Sequence, residues 1–147
     1  MKQTLTVCAV AFLIASLTGP LELQSGERET SIDELEIRNT IQEFYIKGLQ
    51  IRDFALIRAV CIPQAVLMSV GRDDKLHVTS LDAWSERFDP AKPPFQTLDY
   101  SILRIDTAGT AAQVKILFVV DENRRVTDFL NLLKLEGHWR VVNIIDF

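Results

Sequence analysis

The chain has 147 residues, of which 48% are apolar and 24% charged, and its formal net charge is −4 at neutral pH. That length suits one ordinary domain, and the acidic balance, with no basic run longer than Arg124-Arg125, excludes an electrostatic grip on nucleic acid. The sequence carries no internal repeat, glycine-rich phosphate loop, serine-nucleophile motif, His-Asp dyad or metal-ligand cluster, so no cofactor is expected.

Residues 1–26 stand apart. Lys2 precedes an apolar run from Leu5 to Leu17 that Thr18-Gly19-Pro20 breaks, which is the anatomy of a signal peptide. The run falls short of the roughly 20 apolar residues that a membrane-spanning helix needs. The protein is therefore expected to be exported, periplasmic or extracellular, touching a membrane only if this segment stays uncleaved as an anchor. Residues 27–147 form the expected domain, with Cys61 as its one cysteine and no intrachain disulfide. Cys61 lies among apolar neighbours with no His or Lys close in sequence, and it reads as a small buried hydrophobe.

In the domain, Ser31 and Glu34 form the S-x-x-E pattern that starts a helix. Ile37, Ile41, Phe44, Tyr45 and Gly48 then recur at spacings of three and four, predicting one apolar stripe through about Arg52. Gly48 on that stripe predicts a close approach by another element. Asp53 caps a second, short helix with Leu56, Ile57 and Val60 inward, and Pro63 stops it. Ala65 to Val70 and Lys75 to Val78 read as a hairpin around Gly71-Arg72-Asp73-Asp74. His77 on the return strand has no second ligand at metal spacing and reads as a surface or core residue.

Ser80 starts a third helix, whose Leu81, Trp84 and Phe88 make an aromatic stripe. Such a stripe is core in most proteins, with contact to a ligand as the sharper reading. The proline-rich connector from Asp89 to Pro94 follows, and then two long strands, Gln96 to Ile105 and Ala111 to Val120. The second is apolar on both faces toward its end, which predicts cover on both sides.

The last stretch, Arg125 to Phe147, is a hairpin around Glu136-Gly137, where glycine supplies the positive φ of a two-residue turn. That loop sets Leu135 against His138, Lys134 against Trp139, Leu132 against Val141 and Leu130 against Asn143. Asp128, Leu130, Trp139, Val141, Asn143 and Ile145 then share one face, with Asp128 diagonal to Asn143, while Arg140, Val142 and Ile144 face outward. Helices segregated beside an antiparallel sheet make the fold α+β.

The order of these elements resembles the "putative lumazine-binding" family, a branch of the nuclear transport factor 2-like superfamily of cone-shaped domains. The residues that carry the likeness are Tyr45-Ile46-Lys47-Gly48 with Asp53, Pro63-Gln64-Ala65, Thr127 to Leu133, and Gly137 to Asn143. Family members often have Trp after the glycine and His before the proline, where this chain has Leu49 and Ile62. The resemblance implies helices on a strongly bent sheet that encloses a pocket, and a homodimer through the convex face. The superfamily includes isomerases, cyclases and dehydratases, but a fold alone transfers no activity.

Asp128 is the leading candidate for chemistry, as general base or acid, with Asn143 to orient it or donate to an oxyanion and Tyr45 as a further donor. The plainer reading is that the three satisfy one another as a buried network. The expected pocket comprises Tyr45, Trp84, Phe88, Phe118, Asp128, Leu130 and Asn143, for a small, partly apolar molecule. Three functions fit: an exported ligand-binding domain, an isomerase, cyclase or dehydratase with Asp128 as base, and a dimeric structural or partner-binding module.

Overall fold

A computed structural model describes residues 31–88 and 97–147. The 1–26 segment and the whole proline-rich connector from Asp89 to Pro94 lie outside these residues.

The chain begins with one continuous helical rod. The Ser31 side chain accepts from the Glu34 amide, as a helix start requires, and opens α1 (Ile32–Thr40). The rod widens into a π-helical stretch (Ile41–Ile46) and continues as α2 (Lys47–Ile51), ending where Arg52 turns left-handed at φ 57°. The π stretch alters the inward face. Ile41 and Ile46, five residues apart, are both fully buried with Tyr45, while Phe44 is turned out and 39% exposed. An i→i+5 turn places residues five apart above one another, so the stripe expected at helical spacing loses Phe44 and gains Ile46.

Asp53 accepts from the Ala55 amide and starts α3 (Phe54–Val60), which folds back on the rod. Gly48 is the point of approach: a Cβ there would stand 2.7 Å from Ile57 Cγ1 and 2.9 Å from the Asp53 carbonyl oxygen. The close contact predicted from this glycine is present. Strands β1 (Cys61–Val70) and β2 (Leu76–Ser80) follow, and Ser80 caps α4 (Leu81–Ser85) by accepting from the Ala83 amide. The remaining strands are β3 (Leu98–Ala108), β4 (Ala111–Val120), β5 (Arg124–Leu135) and β6 (His138–Asp146).

Six strands form one sheet in the order β2-β1-β6-β5-β4-β3, antiparallel throughout except where β1 lies parallel to β6. Register slips interrupt β1–β6, β3–β4 and β5–β6, and such bulges bend a strand and increase its twist. The curved sheet does not close. Its concave face holds Val114, Ile116, Phe118, Leu130, Leu132, Val141 and Ile144 against Ile37, Ile41, Tyr45 and Ile46 of the rod. Among the described residues no helix is long and apolar enough to cross a membrane.

The β5–β6 hairpin follows its predicted register only part of the way. Glu136 and Gly137 both have positive φ, and the pairs Leu135–His138, Lys134–Trp139 and Leu132–Val141 form as the two-residue turn requires. Val142 is then an extra residue. Beyond it Asn131 faces Asn143, Leu130 faces Ile144 and Asp128 faces Asp146. The expected opposition of Leu130 to Asn143 is corrected: the bulge moves Asn143 and Ile145 to the outer face and brings Ile144, fully buried, into the core. On the outer face Gln113 Nε2 donates to Asn131 Oδ1 at 2.9 Å, and Asn131 Nδ2 donates to Asn143 Oδ1 at 2.6 Å.

Candidate functional site

Two buried groups from distant parts of the chain define the site. Tyr45 sits in the π stretch and Asp128 on the concave face of β5, and the tyrosine hydroxyl donates to Asp128 Oδ2 at 2.6 Å. Asp128 is the one buried charged side chain among the described residues, 6% exposed. Burial pushes its carboxyl up to about 7, the neighbouring Asp146 carboxylate adds to the rise, and the Tyr45 hydrogen bond opposes it. The Tyr45 hydroxyl is itself held well above its ordinary range, first by burial and then by the Asp128 carboxylate. It therefore stays a neutral donor, while Asp128 can give or take a proton near neutral pH.

The pair closes the inner end of a cavity of about 190 Å³. Leu49, Leu67, Trp84, Leu98, Phe118, Val120 and Val126 supply its apolar wall, and Arg87, Arg124 and Asp146 its remaining polar groups. Burial likewise raises the Asp146 carboxyl, against the pull of Arg124 and Arg87. Trp84 is locked in place from behind, with ring centroids 5.3 Å from Phe54 and 5.7 Å from Phe88, both nearly perpendicular.

The structure thus brings together Tyr45, Trp84, Phe118 and Asp128 of the expected pocket residues. Phe88 packs behind Trp84 and Leu130 is sealed in the core, so both fill space outside the cavity lining. Asn143 is the correction of consequence: on the outer face with Asn131, it does not stand diagonal to Asp128 and does not reach the cavity. Its expected place is taken by Asp146, which the uninterrupted register would have replaced with Ile145. Sequence reasoning missed Asp146, Arg87 and Arg124. The one available signal was a polar residue in an apolar strand end, Ile144-Ile145-Asp146, and it points inward only once the bulge is known.

The remaining singled-out residues stay outside the site. Cys61 is buried, and burial pushes its thiol up to about 12, as suits a small core residue. His77 is exposed on β2 with Nε2 3.2 Å from Asp73 Oδ1. Among the described residues no group of three or more His, Cys, Asp or Glu side chains could hold a metal ion.

The family model described as "Putative lumazine-binding" matches residues 32–145. A crystal structure of an NTF2-like protein of unknown function from Shewanella baltica OS155 superposes with a TM-score of 0.71 and 31% identity, over 78% of this chain and 92% of that one. An NTF2-like protein of unknown function from Methylobacillus flagellatus KT gives a TM-score of 0.67 at 21% identity, over 80% and 94% of the two chains. A ketosteroid isomerase-like protein from Erwinia carotovora atroseptica SCRI1043 gives 0.60 at 19%, over 76% and 92%. The last two likenesses show a shared fold alone. No curated protein matches the chain significantly.

Proposed function

Because the chain belongs to the putative lumazine-binding family and has the NTF2-like fold, we propose that it is a small-ligand-binding domain whose ligand enters the cavity between the rod and the concave sheet. The observation that carries this reading is the Tyr45–Asp128 pair at the inner end of an aromatic-walled cavity. Tyr45 occupies Oδ2, and among the described residues nothing bonds Oδ1, which leaves that oxygen for a ligand. At about 190 Å³ the space lies below the roughly 300 Å³ where drug-sized pockets begin, so the ligand is compact and partly apolar.

A second reading is favoured by one observation. A carboxyl titrating at about 7 suits a general base or acid, which supports an isomerase, cyclase or dehydratase with Asp128 as the proton carrier. One experiment addresses both. The protein is titrated calorimetrically with lumazine and a panel of small heteroaromatic and alicyclic compounds, and each mixture is followed for product. A saturable ligand is expected, weakened tenfold or more by Asp128→Leu, which removes the hydrogen bond and keeps the branched shape of the side chain. The absence of any saturable compound at millimolar concentration would end the binding reading, and turnover that survives Asp128→Leu would end the catalytic one.

We also propose that the domain is exported and pairs as a homodimer through its convex face. Lys2 with Leu5–Leu17 supports export, and exposed Leu133 and Ile145 beside the carboxamide ladder support pairing. Native mass spectrometry of the protein from its own cell envelope is expected to give a dimer lacking about the first 26 residues. A full-length monomer would count against both.

A further inference from the structure

The cavity is lined asymmetrically, and its charges say which end of a ligand goes where. Its inner end is buried, with Tyr45 1% and Asp128 6% exposed. Its polar rim is different. Arg87, just past α4, and Arg124, at the start of β5, are exposed side chains from separate elements, and both act on the half-buried Asp146. Among the described residues neither guanidinium comes within ion-pair distance of a carboxylate. The one side-chain hydrogen bond either makes is from Arg87 Nη2 to Thr79 Oγ1, long at 3.5 Å. Two arginines therefore face one rim carboxylate, and their forked donors are left to be matched.

Resting on the ligand-binding reading of this same cavity, we propose that it selects a compact monoanion, a small aromatic or alicyclic carboxylic acid. Its carboxylate is met by Arg87 and Arg124, its ring by Trp84 and Phe118, and a hydroxyl or N–H group at its far end by Asp128 Oδ1. Charge balance favours this class over a neutral or cationic one. Two arginines against Asp146 leave one positive charge at the rim, and Asp128, whose carboxyl is raised by burial, adds less than a full negative charge at neutral pH. A guanidinium pair also fits a planar carboxylate in bidentate fashion, which a point cation would not. Along β5 the cavity-lining Val126 stands between Arg124 and Asp128 on one face, so the ligand's two hydrogen-bonding groups are set apart across an apolar body.

Three probes of nearly equal size separate the outcomes: 4-hydroxybenzoate, 4-hydroxybenzamide and 4-hydroxybenzylamine, carrying negative, zero and positive charge on one frame. Calorimetric titration of the full protein at pH 7 is expected to rank them acid, amide, amine, with the acid at least tenfold tighter than the amide. The exposed double substitution Arg87→Gln with Arg124→Gln is expected to erase that advantage, weakening the acid far more than the amide and bringing the two within about twofold of each other. An amide that binds as well as the acid, or an acid untouched by the double substitution, overturns anion selection and leaves the ligand-binding reading standing. If none of the three binds while another compound of the heteroaromatic panel does, anion selection falls alone. If nothing binds at all, both fall.

Discussion

Asp128→Asn is expected to stabilise the domain above neutral pH by up to about 4 kcal/mol, with almost no effect near pH 4. Burial raises this carboxyl from 3.8 to about 7 in the folded chain, and the unfolded chain returns it to the ordinary value. The sign follows from proton counting. Between roughly pH 4 and 7 the native state holds a proton that the unfolded state has lost, so stability falls as pH rises through that window and levels off above it. Three units at about 1.36 kcal/mol each set the upper limit. Asparagine keeps an oxygen to accept from Tyr45 and carries no charge, so it behaves like the protonated acid at every pH. The groups that face Asp128 are Tyr45 and Asp146, with Arg87 and Arg124 acting on the latter. Asp146 is present in both proteins and faces Asp128, so the difference between their urea stabilities at pH 4.5 and 8.5 reports Asp128 together with its coupling to Asp146. A difference that stays constant across this range would show that Asp128 is ionised throughout and poorly suited to carry a proton.

Trp84→Ala is expected to cost about 3–5 kcal/mol, a large part of the 5–15 kcal/mol that holds a typical domain. The five-residue helix α4 is anchored by two buried side chains, Leu81 and Trp84. Trp84 touches three aromatic partners: Phe54 and Phe88 edge to face, and Tyr45 at 6.3 Å between centroids. Truncation leaves a void that α3, pinned to the rod at Gly48, cannot close, and it removes one wall of the cavity. Trp84→Phe retains an edge for Phe54 and should lose less than half as much. Guanidinium unfolding of the three proteins measures the series. A loss below about 1 kcal/mol for the alanine variant would show that Leu81 and the Ser80 cap hold α4 unaided.

Much of this protein was determined by the sequence alone, wherever the deciding interaction spans a few residues. Ser31, Asp53 and Ser80 each accept from an amide two or three positions ahead, so three helix starts were legible. Glu136-Gly137 carries its own turn geometry, and Gly48 announced the contact that a Cβ would have blocked. The order of these local signals was enough to place the chain in its family. Tertiary structure decided the rest. The π stretch and the Val142 bulge each insert one residue into a regular period, and nothing local demands them, since Val141, Val142, Ile144 and Ile145 read as apolar in either register. What selects them is packing: Ile46 and Ile144 end with essentially no exposed surface, and burying a side chain of that size contributes about 1.5–3 kcal/mol. The Val142 bulge also exchanges Asn143 for Asp146 beside Asp128, whereas Tyr45 lies on the inward stripe already read at helical spacing. The acid was visible as a polar residue in an apolar strand, but its partners come from the rod, from β6 and from the far ends of α4 and β5, and only the fold brings them together.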